Sequence, residues 1–181
     1  ALTIQRSILT GMSLDRVNAS IASLDFVYLK ETKKRNLVVQ VAGYSEREER
    51  IKGGYVLDSK PGIYKNILVL DFKSLYPSIM RTFNIDPYSF IDKKSKRYRV
   101  ISEAQKKKLI KAPNGALFLP EEGILPNILQ KLWKNRDKAK KEKNATASHA
   151  IKILMNSFFG VFANPTCRFY SLEMANAITH F

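Results

Sequence analysis

The sequence of 181 residues predicts an α+β fold: a mixed or antiparallel sheet with helices, and an antiparallel pair of long helices towards the C-terminus. Three observations predict it. The apolar run Ile67–Leu70, bounded by turn residues, is typical of a buried strand. Asn114-Gly115 followed by four apolar residues indicates a β-hairpin. Two stretches with helical spacing, 125–143 and 147–159, are separated by a short turn, which predicts a helical hairpin.

The composition indicates a globular protein with a polyanionic partner. Hydrophobic residues make up 45% of the chain, which excludes a disordered protein, and the net charge is +15. Residues 93–111 carry nine Lys/Arg and one Glu, and residues 131–143 carry seven Lys/Arg and two acidic residues. This uneven excess favours nucleic acid, although a solvated basic helix face is the alternative interpretation.

The cysteine count and the hydropathy indicate in which kind of cellular compartment the protein is found. The single Cys167 excludes an internal disulfide framework and a cysteine-cluster zinc site, and we interpret it as a small buried residue. No apolar run approaches the length of a membrane span, and the N-terminus lacks a signal-peptide pattern. We therefore expect no membrane association and a reducing compartment such as the cytoplasm.

Residues 1–30 are predicted to be largely helical. Ser13 is a candidate N-cap, and four apolar residues from position 14 onward recur at the spacing of one helix face: Leu14, Val17, Ile21 and Leu24. The polar stretch that follows contains a candidate short strand at 38–41. Gly53-Gly54 then forms a turn that leads into a strand at 55–57, and residues 58–62 form a second turn.

The central strand, residues 67–71, ends in Asp71. Ser74 begins a turn, Pro77 fits the first turn of a helix, and that helix ends near Asp86-Pro87. A carboxylate between a strand end and a helix N-terminus suits a divalent metal that carries a phosphate. A helix N-cap or a buried, hydrogen-bonded aspartate is the alternative for Asp71. Further along, Ser102 is expected to cap a short basic helix at 102–110.

The helical hairpin carries cations at matching positions. Arg136 and Lys140 share one face of the first helix, and Lys152 and Asn156 share one face of the second. If these faces converge, they form an electrostatic clamp for a triphosphate; otherwise they form an ordinary exposed surface.

Two stretches carry a family resemblance. Asp71-Phe72-Lys73-Ser74-Leu75-Tyr76-Pro77-Ser78-Ile79 resembles motif A of the family B DNA polymerases, and residues 152–160 resemble motif B, Lys-x-x-x-Asn-Ser-x-Tyr-Gly. Residues 132–140 resemble the preceding fingers helix. The flanks of motif A, residues 54–59 and 81–87, resemble the bacterial DNA polymerase II branch, so the resemblance implies a nucleoid-associated protein of a prokaryote. The resemblance implies four regions: a helical lead-in at 1–52, the palm at 53–120, the fingers hairpin at 121–160 and a return to the palm at 161–181.

The resemblance also implies roles at motif A. Asp71 would bind both of two Mg²⁺ ions, and the carbonyl oxygen of Phe72 would be a further ligand. The N–H groups of Ser74 and Leu75 would meet phosphate oxygens of the incoming deoxynucleoside triphosphate. Tyr76 would lie under the deoxyribose and exclude ribonucleotides by steric contact; ordinary core packing is the alternative.

At motif B, Lys152 and Asn156 would bind the triphosphate, with Arg136 and Lys140 on its outer oxygens. Phe159, which stands where the family has Tyr, and Gly160 would pack beside the nascent base pair. Template contact at Gly53 and Gly54 is a weaker implication, and a plain turn explains them equally well. Many relatives have a Tyr two residues before this glycine pair, where this chain has Ile51.

The resemblance implies a DNA-directed DNA polymerase whose partners are primer-template DNA, deoxynucleoside triphosphates, the remainder of the polymerase (exonuclease, motif C and thumb) and a sliding clamp. The Asp-Thr-Asp of motif C does not occur in these 181 residues, so we expect this chain alone to be inactive. The alternative is a non-catalytic nucleic-acid-binding subunit of a split or degenerate polymerase. A structural polyanion-binding module unrelated to polymerases is a third interpretation.

Overall fold

The computed structural model describes residues 1–43, 53–54 and 56–181, and the elements below are those of this part of the chain. These residues form eight helices and a sheet of three two-residue strands, which confirms the α+β class in a helix-rich form. The elements are α1 (Leu2–Thr10), α2 (Ser20–Lys34), α3 (Leu75–Thr82), β1 (Phe90–Ile91), α4 (Lys96–Val100), α5 (Glu103–Lys106), β2 (Ile110–Lys111), β3 (Leu117–Phe118), α6 (Ile124–Lys141), α7 (Ala145–Phe162) and α8 (Leu172–His180).

Helix α7 is the centre of the core. It packs against α1, α2, α3, α6 and α8. A helix that is apolar around most of its circumference must be buried on most sides, and α7 has this pattern. Its buried side chains are Ala150, Ile151, Leu154, Met155, Phe158, Val161 and Phe162.

The predicted helical hairpin is confirmed. Helix α6 places Pro126 in its first turn, where the missing N–H costs nothing, and buries Ile128, Leu129 and Leu132 against the core. Only three residues separate α6 from α7, and the Asn144 side chain caps α7 by accepting a hydrogen bond from the Ala147 N–H at 3.0 Å. This cap starts α7 two residues before the predicted position.

The small sheet is antiparallel, with strand order β1-β3-β2. The predicted hairpin at Asn114-Gly115 is confirmed, because Gly115 adopts the left-handed φ of 87° that the turn requires and β2 pairs with β3. Strand β1 was not predicted, since two residues are too few to establish an alternating pattern. The Ser102 cap is also confirmed: it forms a capping box with Gln105, although α5 ends at Lys106 rather than at position 110.

The N-terminal expectations need two corrections. The helix expected across position 13 is interrupted, because Gly11 ends α1 with a left-handed φ of 76° and Ser13 lies in a turn instead of capping a helix. Val17 and Leu24 are buried as expected, but Leu14 is exposed. The strand expected at 38–41 does not form. Instead, Gln40 exchanges two hydrogen bonds with Arg168, and two valines of this stretch, Val38 and Val41, are exposed.

The central strand prediction is also wrong. Residues 67–70 form no strand, and their exposed fractions are 67%, 79%, 87% and 84% in chain order. A strand is stable only when a neighbouring strand pairs with its N–H and C=O groups, and no strand in the described part of the chain lies beside this run. The strand expected at 55–57 is likewise not formed at Val56 and Leu57, while Ile51 and Tyr55 lie outside the described residues.

Among the described helices, none combines the length and the apolar character that a membrane crossing requires.

Candidate functional site

The predicted site residues gather where the N-terminus of α3 meets the α6–α7 hairpin. Helix α3 packs against both α6 and α7, so the two stretches that the sequence singled out, 71–79 and 152–160, come together in space. Pro77 and Met80 bury one side of α3 in the core, and this burial fixes the direction in which its first turn faces. Packing of α3 therefore brings residues distant in sequence into one site.

Ser74 begins this helix in an unusual conformation. Its φ of 58° is left-handed, and no side chain caps α3. The first N–H groups of a helix have no acceptor within it, so the start of α3 presents donors and a positive dipole end. The Ser74 hydroxyl accepts a hydrogen bond from the Arg136 guanidinium at 3.1 Å, which joins α3 directly to α6.

Lys73 and Trp133 make a second connection between α3 and α6. The Lys73 ammonium donates to the Asp137 carboxylate at 3.1 Å and lies 5.2 Å from the centre of the Trp133 ring. The Arg81 guanidinium lies 4.9 Å from the same ring centre. Because Lys73 and Asp137 are about half exposed, this pair contributes no more than about 1 kcal/mol, and its effect is mainly to orient the two helices.

The aromatic residues of the two motifs stack on each other. The rings of Tyr76 and Phe159 have centres 4.4 Å apart and planes inclined by 28°. Both side chains are partly buried at the edge of the core. A Cβ atom built on the next residue, Gly160, meets no atom within 4 Å, so the space at that position is open. Tyr76 and Phe159 thus form a stacked aromatic pair that joins the two motifs.

Three of the predicted cations surround one cavity. A cavity of about 360 Å³ lies between the end of α6 and the start of α7, and Arg136, Lys140 and Lys152 line it. Asn156 is exposed one turn further along α7 and does not line it. The convergence predicted for the two helix faces therefore holds for the cations but not for the amide.

The sequence analysis missed two basic residues of this cavity, Lys143 and His149. His149 precedes Lys152 by three positions on α7, so the helical period places both on one face and would have identified it. Lys143 belongs to the connecting turn and adopts a left-handed φ of 55°. Only the geometry of the turn directs it toward the cavity. The neutral residues of the lining are Ala139, Asn144, Ala145 and Ser148.

Arg136 retains unused hydrogen-bonding capacity. Its Nε atom is buried and has no partner among the described residues, while one terminal nitrogen bonds to Ser74. A buried donor without an acceptor costs about 1–3 kcal/mol. An anion in the adjoining cavity would accept a charge-assisted hydrogen bond from the guanidinium.

Asn84 and Asp86 hold the N-terminus of α6. No side chain of α6 itself caps this helix. Instead, the side-chain amide oxygen of Asn84 accepts from the Gly123 N–H at 2.7 Å, and the Asp86 carboxylate accepts from the Leu125 N–H at 2.7 Å and from the Tyr28 hydroxyl at 2.9 Å. The N–H groups of Tyr88 and Ser89 bond to the other carboxylate oxygen of Asp86. This side-chain cap fixes the base of the hairpin.

Complete burial raises the pKa of the Asp86 carboxyl, and burial together with the neighbouring Asp86 raises the pKa of the Tyr28 hydroxyl. Close packing extends to Gly123, where an added Cβ would lie 2.8 Å from the Cβ of Asp86. Since its carboxylate is fully occupied with protein donors, Asp86 is a structural residue and is not available as a ligand.

Asp71 and Phe72 are exposed next to the start of α3. They offer a carboxylate and a carbonyl oxygen, the ligand type that Mg²⁺ prefers. Within the described residues, however, no three His, Cys, Asp or Glu side chains come together as a metal site. Gly53 and Gly54 are exposed, and a Cβ added to either one meets no atom within 4 Å.

Comparison with known proteins gives consistent matches. Residues 18–181 match the family described as DNA polymerase family B. The chain is 35% identical over 176 residues to DNA polymerase II of Escherichia coli strain K12, covering 97% of the chain and 22% of that protein. It is 32% identical over 193 residues to a DNA polymerase of Desulfurococcus sp. strain Tok, covering 97% and 24%.

A solved structure agrees with these matches. The family B DNA polymerase from the hyperthermophilic archaeon Pyrobaculum calidifontis superposes with a TM-score of 0.72 at 27% identity, covering 99% of this chain and 25% of that one. The chain thus spans about a quarter of the length of the relatives it matches.

Proposed function

Because the chain belongs to DNA polymerase family B, we propose that it supplies the nucleotide-binding part of the active site of a DNA-directed DNA polymerase. The reaction of the whole protein is attack of a primer 3′-hydroxyl on the α-phosphate of a deoxynucleoside triphosphate, with release of pyrophosphate. The observation that carries the proposal is the convergence of Arg136, Lys140 and Lys152 on one cavity that Arg136 joins to the start of α3.

The cavity suits a triphosphate. Its volume of about 360 Å³ is that of a small-ligand site. The three cations, with Lys143 and His149 at its edge, oppose the charge of the phosphates and stabilise the charge that develops on the departing pyrophosphate. The unpartnered Nε of Arg136 and the first N–H groups of α3, at Ser74 and Leu75, are donors for phosphate oxygens.

The aromatic pair suits the nucleoside. In this proposal Tyr76, held by its stack on Phe159, supports the deoxyribose and excludes a 2′-hydroxyl through steric contact. Phe159 and the open space at Gly160 then face the nascent base pair. Asn156 is the residue with the least support, since it does not line the cavity, and we retain it as a contact made when nucleotide is bound.

We propose Asp71 and the Phe72 carbonyl as ligands of the two Mg²⁺ ions that the family uses. Such ions stabilise the attacking and leaving oxygens of an in-line displacement. One carboxylate is too few to hold two ions, and the described residues assemble no larger group. Asp71 is therefore one member of a site whose other carboxylates lie outside the described part of this chain.

Primer-template DNA and the remainder of the polymerase, with its exonuclease, motif C and thumb, are the proposed partners. Contact of Gly53 and Gly54 with the template strand and docking on a sliding clamp remain predictions. Since the chain spans about a quarter of its relatives, residues 1–181 alone are expected to bind nucleotide or DNA weakly and not to extend a primer.

Steady-state primer extension by the full-length polymerase that contains this chain tests the proposal. Lys152→Ala and Lys140→Ala each remove a charge-assisted contact of about 1.5–3 kcal/mol, so we expect each to weaken use of the nucleotide triphosphate at least tenfold. Asp71→Ala should abolish extension.

Lys138→Ala is the matched control, because Lys138 lies on α6 outside the cavity lining and pairs with Glu142. It should change the kinetics less than twofold. Extension that persists in Asp71→Ala, or equal effects of Lys138→Ala and Lys140→Ala, would contradict the proposal. DNA binding without any extension by the unsubstituted protein would favour the non-catalytic subunit instead.

A further inference from the structure

The stretch Lys93–Lys111, named here the basic segment, is held at both ends by the small sheet. It follows β1 and ends in β2, and both strands pair with β3. Because β3 lies between β1 and β2, the two ends of the segment are two strand spacings apart, or only about 10 Å. Within the segment, Ser95 and Ser102 cap the short helices α4 and α5. The segment is therefore an ordered structure that the sheet anchors at both ends.

The basic segment carries nine cations. Eight of them are exposed and Lys106 is partly buried. Among the described residues, Lys106 is the one member that forms an ion pair, with Glu103 at 2.7 Å. The nine are Lys93, Lys94, Lys96, Arg97, Arg99, Lys106, Lys107, Lys108 and Lys111.

The second basic stretch, 131–143, differs from the basic segment. There Lys131 and Lys138 pair with Glu31 and Glu142, and Arg136, Lys140 and Lys143 line the small cavity. Apart from Lys106, the cations of the basic segment form no ion pair within the described residues, and none of the nine lines the small cavity. A high density of unpaired positive charge lowers stability through self-repulsion, and a bound polyanion relieves that repulsion.

Aromatic rings lie among these cations. The Arg97 guanidinium lies 5.0 Å from the centre of the Tyr88 ring and donates to the Tyr88 carbonyl, and the Lys106 ammonium lies 4.8 Å from the Tyr98 ring centre. Lys94 and Arg97 also line an open cavity of about 950 Å³. Aromatic side chains form much of its lining: Tyr28, Tyr88, Phe90, Phe169 and Tyr170. Asp92 and Glu173 are the acidic residues of that lining.

We propose that the basic segment and this adjoining cavity bind single-stranded nucleic acid at a site separate from the triphosphate cavity. Cations that follow a phosphate backbone, interleaved with aromatic rings on which bases stack, are the features that bind single strands without sequence preference. The open volume beside Tyr88 accommodates unstacked bases, which a duplex does not offer. The inference rests on the proposed function only for the identity of the strand, which is then the single-stranded template.

Salt-dependent DNA binding by the full-length polymerase tests this inference. The test variant is K107A/K108A/K111A, and the control is K131A/K138A/K141A, which removes the same charge from α6. Each is titrated between 50 and 200 mM salt with a primer-template that has a long single-stranded template overhang and with one that has a short overhang. Each phosphate contact to a single strand contributes about 0.7 to the slope of log affinity against log salt concentration.

We expect the test variant to lose about 2 units of slope and at least tenfold in affinity, with the long overhang only. The control variant should lose less than about 0.5 unit of slope, which is comparable to the error of the measurement. Equal losses with both overhangs would indicate a duplex contact, and an unchanged slope would indicate a solvated surface; either result overturns the inference.

A second variant tests the stacking component. Tyr88→Leu keeps an apolar side chain and removes the ring, so affinity for the long overhang should fall about fivefold or more, with no change of slope. An unchanged affinity would contradict the role of the cavity. Neither assay requires catalysis. If the unsubstituted protein does not extend a primer but the variants show the expected losses of binding, the proposed function is rejected and this inference stands. If the unsubstituted protein extends a primer but the variants bind DNA normally, this inference alone is rejected.

Discussion

Two leucine-rich stretches of this chain have opposite structures. Helix α6 buries Ile128, Leu129 and Leu132, with 0% of Leu129 exposed. The run at residues 67–70 is at least as apolar, yet 79% of Leu68 is exposed. The apolar character of a segment therefore does not decide its burial. The difference lies in where each segment finds its hydrogen-bond and packing partners.

A helix satisfies most of its backbone N–H and C=O groups internally, and α6 needs only a packing partner, which α7 provides three residues later. A strand satisfies none of these groups alone and needs a second strand beside it. Within the described residues, 67–70 has no such neighbour. The comparison teaches that a helix can be completed by short-range sequence, whereas a strand forms only where a second strand lies beside it, and the described residues supply none at 67–70.

Leu→Ala at matched positions gives the largest expected contrast. Leu129→Ala leaves a cavity in a packed core and should lower the free energy of unfolding by about 2–5 kcal/mol. Leu68→Ala should change it by less than about 0.5 kcal/mol in the 181-residue chain, because the side chain is exposed. Urea denaturation of both variants measures the two values. Similar costs at the two positions would contradict the comparison.

Thiol labelling contrasts the exposed run with the core within one molecule. Burial raises the pKa of the Cys167 thiol to about 11, from an ordinary value of 9.0, so about a hundredfold less thiolate is available at pH 8. In the Leu68→Cys variant, the new thiol should react rapidly with a maleimide, while Cys167 should react only after denaturation. Peptide mapping by mass spectrometry identifies the labelled site, and rapid native labelling of Cys167 would contradict its burial.

Asp86→Asn tests how the start of α6 is held. The amide retains one acceptor oxygen but turns its NH₂ toward donors, so at least one backbone N–H loses its partner and stability falls by about 1–3 kcal/mol. Asp92→Asn is the control, since Asp92 is exposed and accepts one backbone hydrogen bond. Denaturation of both variants should show a cost at Asp86 alone.

The stability difference between the unsubstituted chain and the Asp86→Asn variant is expected to depend on pH. Burial raises the pKa of Asp86 above its ordinary value, so the folded state binds this proton more tightly than the unfolded chain does. This contribution to stability is complete below a pH of about 4 and disappears as the pH rises through the raised pKa. The stability difference between the unsubstituted chain and Asp86→Asn should therefore shrink with rising pH. A difference that grows would contradict the raised pKa.

Replacing either of two glycines by alanine gives the smallest expected changes in stability, and the two changes have opposite signs. Gly123→Ala places a methyl group 2.8 Å from Asp86 and should destabilise by about 1 kcal/mol or more. Gly160→Ala meets open space inside α7 and should stabilise the chain by about 0.5–1 kcal/mol. Thermal denaturation compares the two. In the full-length polymerase Gly160→Ala should nevertheless weaken extension, because the added methyl group faces the proposed nascent base pair.

Local signals in the sequence predicted much of the fold and part of the site. Apolar spacing identified α6 and α7, Asn114-Gly115 identified the β2–β3 hairpin, and Ser102 identified the start of α5. Gly11, whose left-handed φ ends α1, was overlooked as a helix stop, and the helix was extended across it. Helical spacing also placed Arg136, Lys140 and Lys152 correctly on two faces that could meet.

The sequence by itself determined the long helices α6 and α7, the start of α5 and the β2–β3 turn, because helix periodicity, caps and tight turns depend on residues a few positions apart. It also determined the family, through the residues of the two motifs at 71–79 and 152–160. Tertiary structure alone decided that Ser74 bonds to Arg136, that Tyr76 stacks on Phe159 and that Asp86 caps α6. Each of these contacts joins residues 39 to 83 positions apart, and their meeting is set by core packing around α7 rather than by any local pattern.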